Sequence, residues 1–160
     1  MKLREVEERD HIFVSILLQT AFERPEESRL VESLRGGGDL ALELVAEEDG
    51  QLVGHIAFAR LTAPEGWWTL SPVCVMQSRQ GRGLGGEIIR HGLDLCRQRH
   101  AKAVVVVGGA AYYGRFGFSL KAAENVTTPY AREYTLLYPI APGTAGARER
   151  LIYPEPFAGL

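Results

Sequence analysis

A dense cluster of glycines lies between an apolar segment and a segment with helical periodicity, within residues 69–99. The cluster contains Gly81, Gly83, Gly85 and Gly86. Glycine lets the backbone take positive φ angles and lets a ligand approach the main chain closely. The first N–H groups of a helix are unpaired, and together with the helix dipole they favour a bound anion. The spacing therefore predicts a pyrophosphate site held mainly by backbone groups.

Three phosphate-binding motifs compete for this glycine turn. A P-loop needs GxxxxGK[ST], and no Lys-Ser/Thr pair follows Gly86. Gly81, Gly83 and Gly86 also spell GxGxxG, but the next apolar segment, AVVVVGG, ends without the acidic residue that would bind a ribose. Too little chain follows to complete a doubly wound sheet. The third interpretation is Q-x-x-G-x-G, formed by Gln80, Gly83 and Gly85, and a dinucleotide oxidoreductase stays as a more distant alternative.

Cysteine and histidine give no metal or disulfide pattern. Cys74 and Cys96 are too few for a disulfide framework and are not part of a CxxC pair, so we expect both to be small buried residues. The histidines are scattered, without an HxxxH or Cys/His cluster: His11, His55, His91 and His100. The sequence therefore predicts that no metal takes part.

Length and charge limit the class of protein. A chain of 160 residues predicts a single domain spanning residues 1–160. The net charge of −2 provides no basic footprint for nucleic acid. Apolar runs stay shorter than the roughly 20 residues of a membrane span, and the start MKLREVEERD lacks the apolar core of a signal peptide. We therefore expect a cytoplasmic protein without nucleic acid or a membrane as partner.

The elements that would position the glycine turn follow a mixed α/β pattern. Strands are predicted at residues 2–7, 40–47, 52–61, 67–76, 103–107 and 134–140, and helices at residues 12–20, 25–34 and 84–98. The pair Asp49-Gly50 predicts a hairpin between the second and third strands. A helical crossover makes the fourth and fifth strands parallel. The helix at 84–98 has one apolar face, and on its polar face Arg90 and Asp94 are spaced for an i,i+4 ion pair.

With these motifs in place, the sequence resembles the GNAT superfamily of N-acetyltransferases, in its YhbS-like bacterial branch. The resemblance lies in the run LSPVCV…RQGRGLG…AVVVVGGAAYYGRFGF and extends from AFERPEE to the YPEPF tail. It implies the GNAT acyl-CoA N-acyltransferase fold, an α/β architecture with a mixed, mostly antiparallel sheet. In this fold the parallel strand pair splays apart, helices flank the sheet, and acetyl-CoA is the co-substrate.

The resemblance also implies where coenzyme A would bind. Its acetyl and pantetheine part falls on the main chain of the fourth strand, at Val73, Cys74 and Val75. Its pyrophosphate falls on the turn, where Arg82 could add charge, at Gln80, Gly81, Arg82, Gly83, Leu84, Gly85 and Gly86.

Two catalytic roles follow from the resemblance. The Val73 amide is expected to donate to the oxyanion, and Tyr113 is expected to be the general acid for the thiolate of coenzyme A. A phenol suits that task because its pKa near 10 keeps it protonated at neutral pH. The neighbours Tyr112, Phe116 and Phe118 are expected to face away and pack.

The general base is not identified, and here the sequence departs from the family pattern. Residues 69–76 and 103–107 contain no acid, and Gly-Gly-Ala-Ala replaces the Asn often found after the fifth strand. A water chain, Glu23, Glu43 or His55 are the open alternatives, with His55 expected to be a satisfied core residue. Cys74 has no cationic neighbour in sequence that would activate it as a nucleophile.

The expected function is transfer of an acetyl group from acetyl-CoA to a primary amine, directly and within a ternary complex. The acceptor would be a small-molecule or peptide amine bound near the first two helices, residues 22–29 and the tail, and the protein would be a monomer or a homodimer. The missing base leaves a second hypothesis, a non-catalytic acyl-CoA-binding or sensing module.

Overall fold

A computed structural model describes residues 1–159, and its centre is a six-stranded sheet in the order β1-β2-β3-β4-β5-β6. The strands are β1 (Lys2–Glu5), β2 (Leu40–Glu48), β3 (Gln51–Arg60), β4 (Trp67–Val75), β5 (Ala103–Val107) and β6 (Thr135–Pro139). The helices are α1 (His11–Phe22), α2 (Glu26–Gly36), α3 (Leu84–Gln98) and the short α4 (Ala110–Tyr113). Neighbouring strands are antiparallel except β4 and β5, which are parallel. The predicted mixed, mostly antiparallel sheet with one parallel pair is confirmed.

The parallel pair separates soon after it forms. Pairing between β4 and β5 runs from Trp67 opposite Ala103 to Thr69 opposite Val105, whereas β4 itself continues to Val75. Within β4 the register against β3 shifts, so that Ser71 and Pro72 lie opposite the single residue Ala57. Proline has no N–H to give to a ladder and is tolerated at such a bulge. The second half of β4 therefore has a main-chain edge that β5 leaves uncovered.

Helices cover both faces of the sheet. The predicted apolar face of α3 packs on one side, where Ile88, Ile89 and Leu93 are buried with Ile56 and Phe58 of β3. On the other side α1 and α2 pack through Leu17, Leu18 and Val31, among others, against Val45 and Cys74. Because successive residues of a strand point to opposite faces, β4 contributes side chains to both layers.

The first helix is apolar on more than its buried face. Val14, Leu17 and Leu18 are buried, whereas Ile12 and Phe13 are 66% and 58% exposed. Because apolar residues occupy most of α1, the spacing predicted a helix but could not identify the face that packs. In the part of the chain that the structure describes, no helix is both long and apolar enough to cross a bilayer.

Candidate active site

The uncovered edge of β4 presents main-chain groups that no strand pairs. The Met76 N–H donates to the Val53 carbonyl of β3 at 2.7 Å. Because successive main-chain groups alternate in direction along a strand, those of Val73 and Val75 point away from β3 and into the gap left by β5. The Val75 carbonyl accepts a hydrogen bond from Gln80 Nε2 at 3.1 Å. The gap therefore offers an amide N–H at Val73 and both kinds of backbone group at Val75.

The loop that follows β4 supplies a row of unpaired N–H groups. Gly81 and Gly83 have φ of 79° and 80°, in the left-handed region that favours glycine. The first bond of the helix runs from the Glu87 N–H to the Gly83 carbonyl at 3.1 Å. Within residues 1–159, the amides of residues 81–86 donate to no protein group. The start of α3 is thus built to bind an anion through its backbone, as the glycine spacing predicts.

The β4 edge and this loop line one cleft of about 610 Å³. The predicted site residues on its surface are Val73, Cys74, Val75, Gln80, Gly81, Gly83, Leu84, Gly85, Gly86 and Tyr113. The cleft also contains residues outside the predicted coenzyme site, of which Phe22 begins the segment predicted to lie near the acceptor: Ala21, Phe22, Arg79, Arg90, Tyr112, Arg115 and Phe116. Sequence proximity to Tyr113 was a signal for Arg115 and Phe116, whereas α1 and Arg90 are brought to the cleft by folding.

Arg82 is the predicted binding residue that lies outside the cleft lining. Its Nη2 lies 3.4 Å from Glu48 Oε1, and Arg79 Nε lies 3.1 Å from the same oxygen. The carboxylate of Glu48 thus holds Arg79 and Arg82 of the loop against the end of β2. The charge of Arg82 is directed toward a protein carboxylate, and its predicted contact with a phosphate has no geometric support.

Tyr113 is half-buried at the wall of the cleft. Its ring packs edge-on against Phe118, with centroids 5.7 Å apart, and lies over Gly108, where an added Cβ would come within 2.4 Å of the ring. No acceptor or donor among the described residues pairs with its hydroxyl, and that oxygen is not fully buried. Burial, followed by the neighbouring Tyr112, raises the pKa of Tyr113. The phenol therefore stays protonated at neutral pH, as a proton donor must.

Tyr112 does not face away from the site, and that expectation was wrong. It is exposed and lines the cleft, and a Cβ on Gly85 would lie only 3.1 Å from its hydroxyl. The short helix α4 is responsible, because consecutive residues of a helix differ in direction by about 100° and both rings can reach the same cleft. Phe116 also contributes to the lining, although its ring is largely buried.

The histidine and glutamate that were candidate bases form a separate buried cluster. His55 Nε2 lies 2.8 Å from Glu43 Oε2, and Arg35 Nη2 lies 2.7 Å from the same oxygen. Burial would raise the pKa of Glu43, but the hydrogen bonds from His55 and Arg35 outweigh it and lower that pKa. This cluster lies outside the cleft lining, and so does Glu23, the exposed residue that follows α1. The cleft surface, as far as residue 159, has neither a carboxylate nor an imidazole.

The expectation that His55 is a satisfied core residue holds for one nitrogen only. Its side chain is fully buried and Nε2 is paired, but Nδ1 has no hydrogen-bond partner within residues 1–159.

The i,i+4 pair predicted between Arg90 and Asp94 is not formed, because Asp94 pairs with Arg97 and Arg90 lies over the ring of Phe116.

Cys74 is at the edge of the cleft but lacks the environment of a nucleophile. Burial raises the pKa of its thiol to about 12, and a hydrogen bond with the main chain at His55 only partly opposes this. The thiolate that would attack an acyl group is therefore a very small fraction at neutral pH. In the described part of the chain, no group of three or more potential metal ligands comes together.

A strand edge released by its parallel neighbour, next to a loop of unpaired amides, is the arrangement of an acyl-CoA-dependent transferase. Residues 8–118 match the sequence profile of the acetyltransferase (GNAT) family. The chain belongs to this family.

The particular relatives are bacterial. The chain is 37% identical to the uncharacterised N-acetyltransferase YhbS of Escherichia coli K12 over 117 residues, which are 71% of this chain and 70% of YhbS. It is also 37% identical to YjhQ of the same organism over 112 residues, which cover 66% of this chain and 62% of YjhQ. The resemblance to the YhbS-like branch is confirmed.

Solved structures agree with this assignment. The crystal structure of Escherichia coli YhbS in complex with CoA superposes with a TM-score of 0.91 at 30% identity, covering 98% of this chain and 91% of that one. A GNAT acetyltransferase from Brucella melitensis, in complex with acetyl-CoA, gives a TM-score of 0.84 at 34% identity, covering 98% and 97% of the two chains.

Proposed function

We propose that this protein transfers the acetyl group of acetyl-CoA to a primary amine, directly and within a ternary complex. The observation that carries the proposal is a single cleft lined by two sets of main-chain groups that neither the sheet nor the helix pairs. The β4 edge at Val73 and Val75 and the amides of residues 81–86 line the same cleft. An extended chain with peptide-like amides fits the first set, and a diphosphate fits the second.

The residues present fit coenzyme A in both shape and charge. The pantetheine arm of coenzyme A has amides that would pair with Val75, after displacing the side chain of Gln80 from its carbonyl. The open surroundings of Gly81 and Gly83 would let a diphosphate approach the loop. YhbS of Escherichia coli and the acetyltransferase of Brucella melitensis were solved with CoA and acetyl-CoA, which supports the same class of ligand here.

The proposed chemistry uses two groups of this chain. Acetyl-CoA, when bound, would supply a thioester whose carbonyl carbon is open to attack by an amine. The Val73 N–H, fixed by the strand and pointing into the gap, would stabilise negative charge on the carbonyl oxygen. The Tyr113 hydroxyl would give its proton to the departing sulfur. Both groups are held by packed elements before any ligand arrives, so little reorganisation is needed.

The lining also indicates how the amine would lose its proton. Since the cleft surface, up to residue 159, carries no carboxylate or imidazole, the amine would enter in its neutral form, and the proton that its nitrogen loses after the attack would pass to water. The high pKa of the Cys74 thiol disfavours an acetyl-cysteine intermediate and supports direct transfer. The acceptor would be a small molecule or a peptide that approaches past Phe22, where α1 meets the cleft.

The same missing base supports a second candidate function, an acyl-CoA-binding or sensing module without turnover. Calorimetry with coenzyme A and release of free thiol from acetyl-CoA test both candidates. The assays should cover polyamines, aminoglycosides, amino acids and peptides. Tight binding with thiol release that depends on an amine supports the transferase. Tight binding without release for every amine favours the sensing module, and absence of coenzyme A binding overturns both.

A further inference from the structure

Two arginines at the cleft carry charge that the protein does not neutralise. Arg90 lies on α3, and Arg115 lies in the 3₁₀ turn Gly114–Phe116 that follows α4. Neither makes a salt bridge with any residue that the structure describes, whereas Arg79 and Arg82 share the carboxylate of Glu48. Unbalanced cations on the wall of a cleft indicate that the cleft accepts an anion there.

Aromatic rings hold both guanidinium groups in place. The guanidinium carbon of Arg90 lies 4.9 Å from the centroid of Phe116, and that of Arg115 lies 5.3 Å from the same centroid and 4.6 Å from the Tyr112 ring. Arg115 Nε also donates to the Tyr112 carbonyl at 3.3 Å. Phe116 is buried, so the ring against which both guanidinium groups lie is held in place by its packing. A stacked guanidinium keeps its N–H donors at the rim of its plane, where they can bind an oxyanion.

The position of this pair is next to the anion-binding loop but separate from it. Arg90 reaches back along α3, so that its Nη1 would lie 3.1 Å from a Cβ added to Gly86. Both guanidinium groups contact the same Phe116 ring, so an anion that binds beside this ring is attracted by both cations. The loop amides of residues 81–86 are enough for one anionic group, which leaves the arginine pair for another.

We propose that Arg90 and Arg115 form a subsite for the phosphate monoester on the ribose of coenzyme A, its 3′-phosphate. This inference rests on the proposed function, because it takes coenzyme A as the ligand of the cleft. Coenzyme A carries two anionic groups, a diphosphate and this monoester. The monoester is a dianion with three terminal oxygens, which matches two guanidinium forks. The subsite selects coenzyme A over ligands that have the diphosphate and pantetheine but lack the monoester.

Calorimetric titration with coenzyme A and with 3′-dephospho-coenzyme A measures the subsite without any turnover. The wild-type protein is expected to bind coenzyme A at least about tenfold more tightly than the dephospho form. R90Q and R115Q should each lose about five- to tenfold in affinity for coenzyme A and little for the dephospho form. In the double variant the two affinities should become equal. R115K keeps the charge without the planar fork and should fall between R115Q and wild type.

Arg97 provides a matched control on the same helix. Its guanidinium also lies over an aromatic ring, 5.8 Å from the centroid of Tyr138, but it pairs with Asp94 and lies outside the cleft lining. R97Q should keep the wild-type ratio of the two affinities. A thermal melt of each variant identifies any loss of folding, and the ratio of two ligands on one variant is insensitive to a partly unfolded fraction.

Two results would overturn the subsite alone: equal affinities for both ligands in the wild type, or an unchanged ratio in the double variant. Failure of the wild type to bind either ligand would overturn the proposed function, and the subsite with it. The two failures can be told apart, because a protein that lacks only the subsite still binds coenzyme A and its dephospho form.

Discussion

Replacing Tyr113 with phenylalanine removes the proposed proton donor and leaves its packing in place. The hydroxyl has no partner among the described residues, and the ring contacts with Phe118 and Gly108 are those that phenylalanine can also make. We therefore expect the free energy of unfolding to change by less than about 0.5 kcal/mol. The affinity for coenzyme A should also stay the same. A loss of rate in Tyr113→Phe can then be assigned to chemistry.

The expected loss of kcat follows from the leaving group. General acids contribute roughly 10²- to 10⁴-fold, and a thiolate is a better leaving group than an amine or an alkoxide. We therefore expect the lower end, with kcat reduced about 100-fold.

The pH profile distinguishes an acid from a structural residue. Burial raises the pKa of Tyr113 above 10.0, so the protonated, active form persists through neutral and mildly alkaline pH. The wild-type kcat should fall as the pH rises through this raised pKa, and Tyr113→Phe should lack that alkaline decline. The assay is release of thiol from saturating acetyl-CoA, with the most active amine of the panel held in its neutral form.

Two further variants complete the test. Tyr134→Phe removes a hydroxyl from an exposed tyrosine outside the cleft lining and should behave as wild type. Gly108→Ala places a methyl group 2.4 Å from the Tyr113 ring, so the ring must move and kcat should fall although the hydroxyl is still present. If Tyr113→Phe keeps the wild-type kcat and the wild-type pH profile, Tyr113 is not the acid and the proposed proton path is wrong.

Four other variants test the loop, the stability of the fold in acid and the Cys74 thiol. Gly85→Ala fits helical φ but adds a methyl group to the cleft wall, so affinity for coenzyme A should fall about tenfold with the melting temperature unchanged or raised. Gly83→Ala should instead lower the unfolding free energy by about 1–2 kcal/mol, because its φ is 80°. The carboxylate of Asp10 accepts hydrogen bonds from Arg4, and these lower its pKa to about 2 from 3.8. The ionised Asp10 therefore stabilises the fold above pH 3.8. That contribution is lost as the pH falls toward 2, and thermal melts of Asp10→Asn should show a smaller decline across this window. Cys74→Ala should keep most of the transfer activity, whereas abolished activity in a folded variant, together with mass-spectrometric detection of acetyl-Cys74 in the wild type, would contradict direct transfer.

Several parts of the site could be read from neighbouring residues in the chain. The glycine turn was predictable because positive φ at Gly81 and Gly83 is a local property of glycine. The parallel pairing of β4 and β5 follows from the helix between them. The hairpin at Asp49-Gly50 follows from the turn preference of that pair.

Other parts depended on residues far apart in the chain. The i,i+4 rule paired Arg90 with Asp94, but the ring of Phe116 competes for that guanidinium across the cleft. Glu48 at the end of β2 forms an ion pair with Arg82 of the loop. Glu43 of β2 binds both His55 of β3 and Arg35 of α2. Tyr112 faces the cleft because residues 110–113 form a helix. That helix is too short to produce a helical periodicity in the sequence.

The sequence alone therefore determined the family, the order of strands and helices along the chain and the loop whose amides would bind a diphosphate. These properties depend on the backbone, which responds to local residue type and periodicity. Only the tertiary structure decided which arginines are paired with carboxylates, which tyrosines face the cleft and that the candidate bases lie outside the cleft. Side-chain partners lie across the fold, and a charge is available for a ligand only when the surrounding elements leave it unpaired.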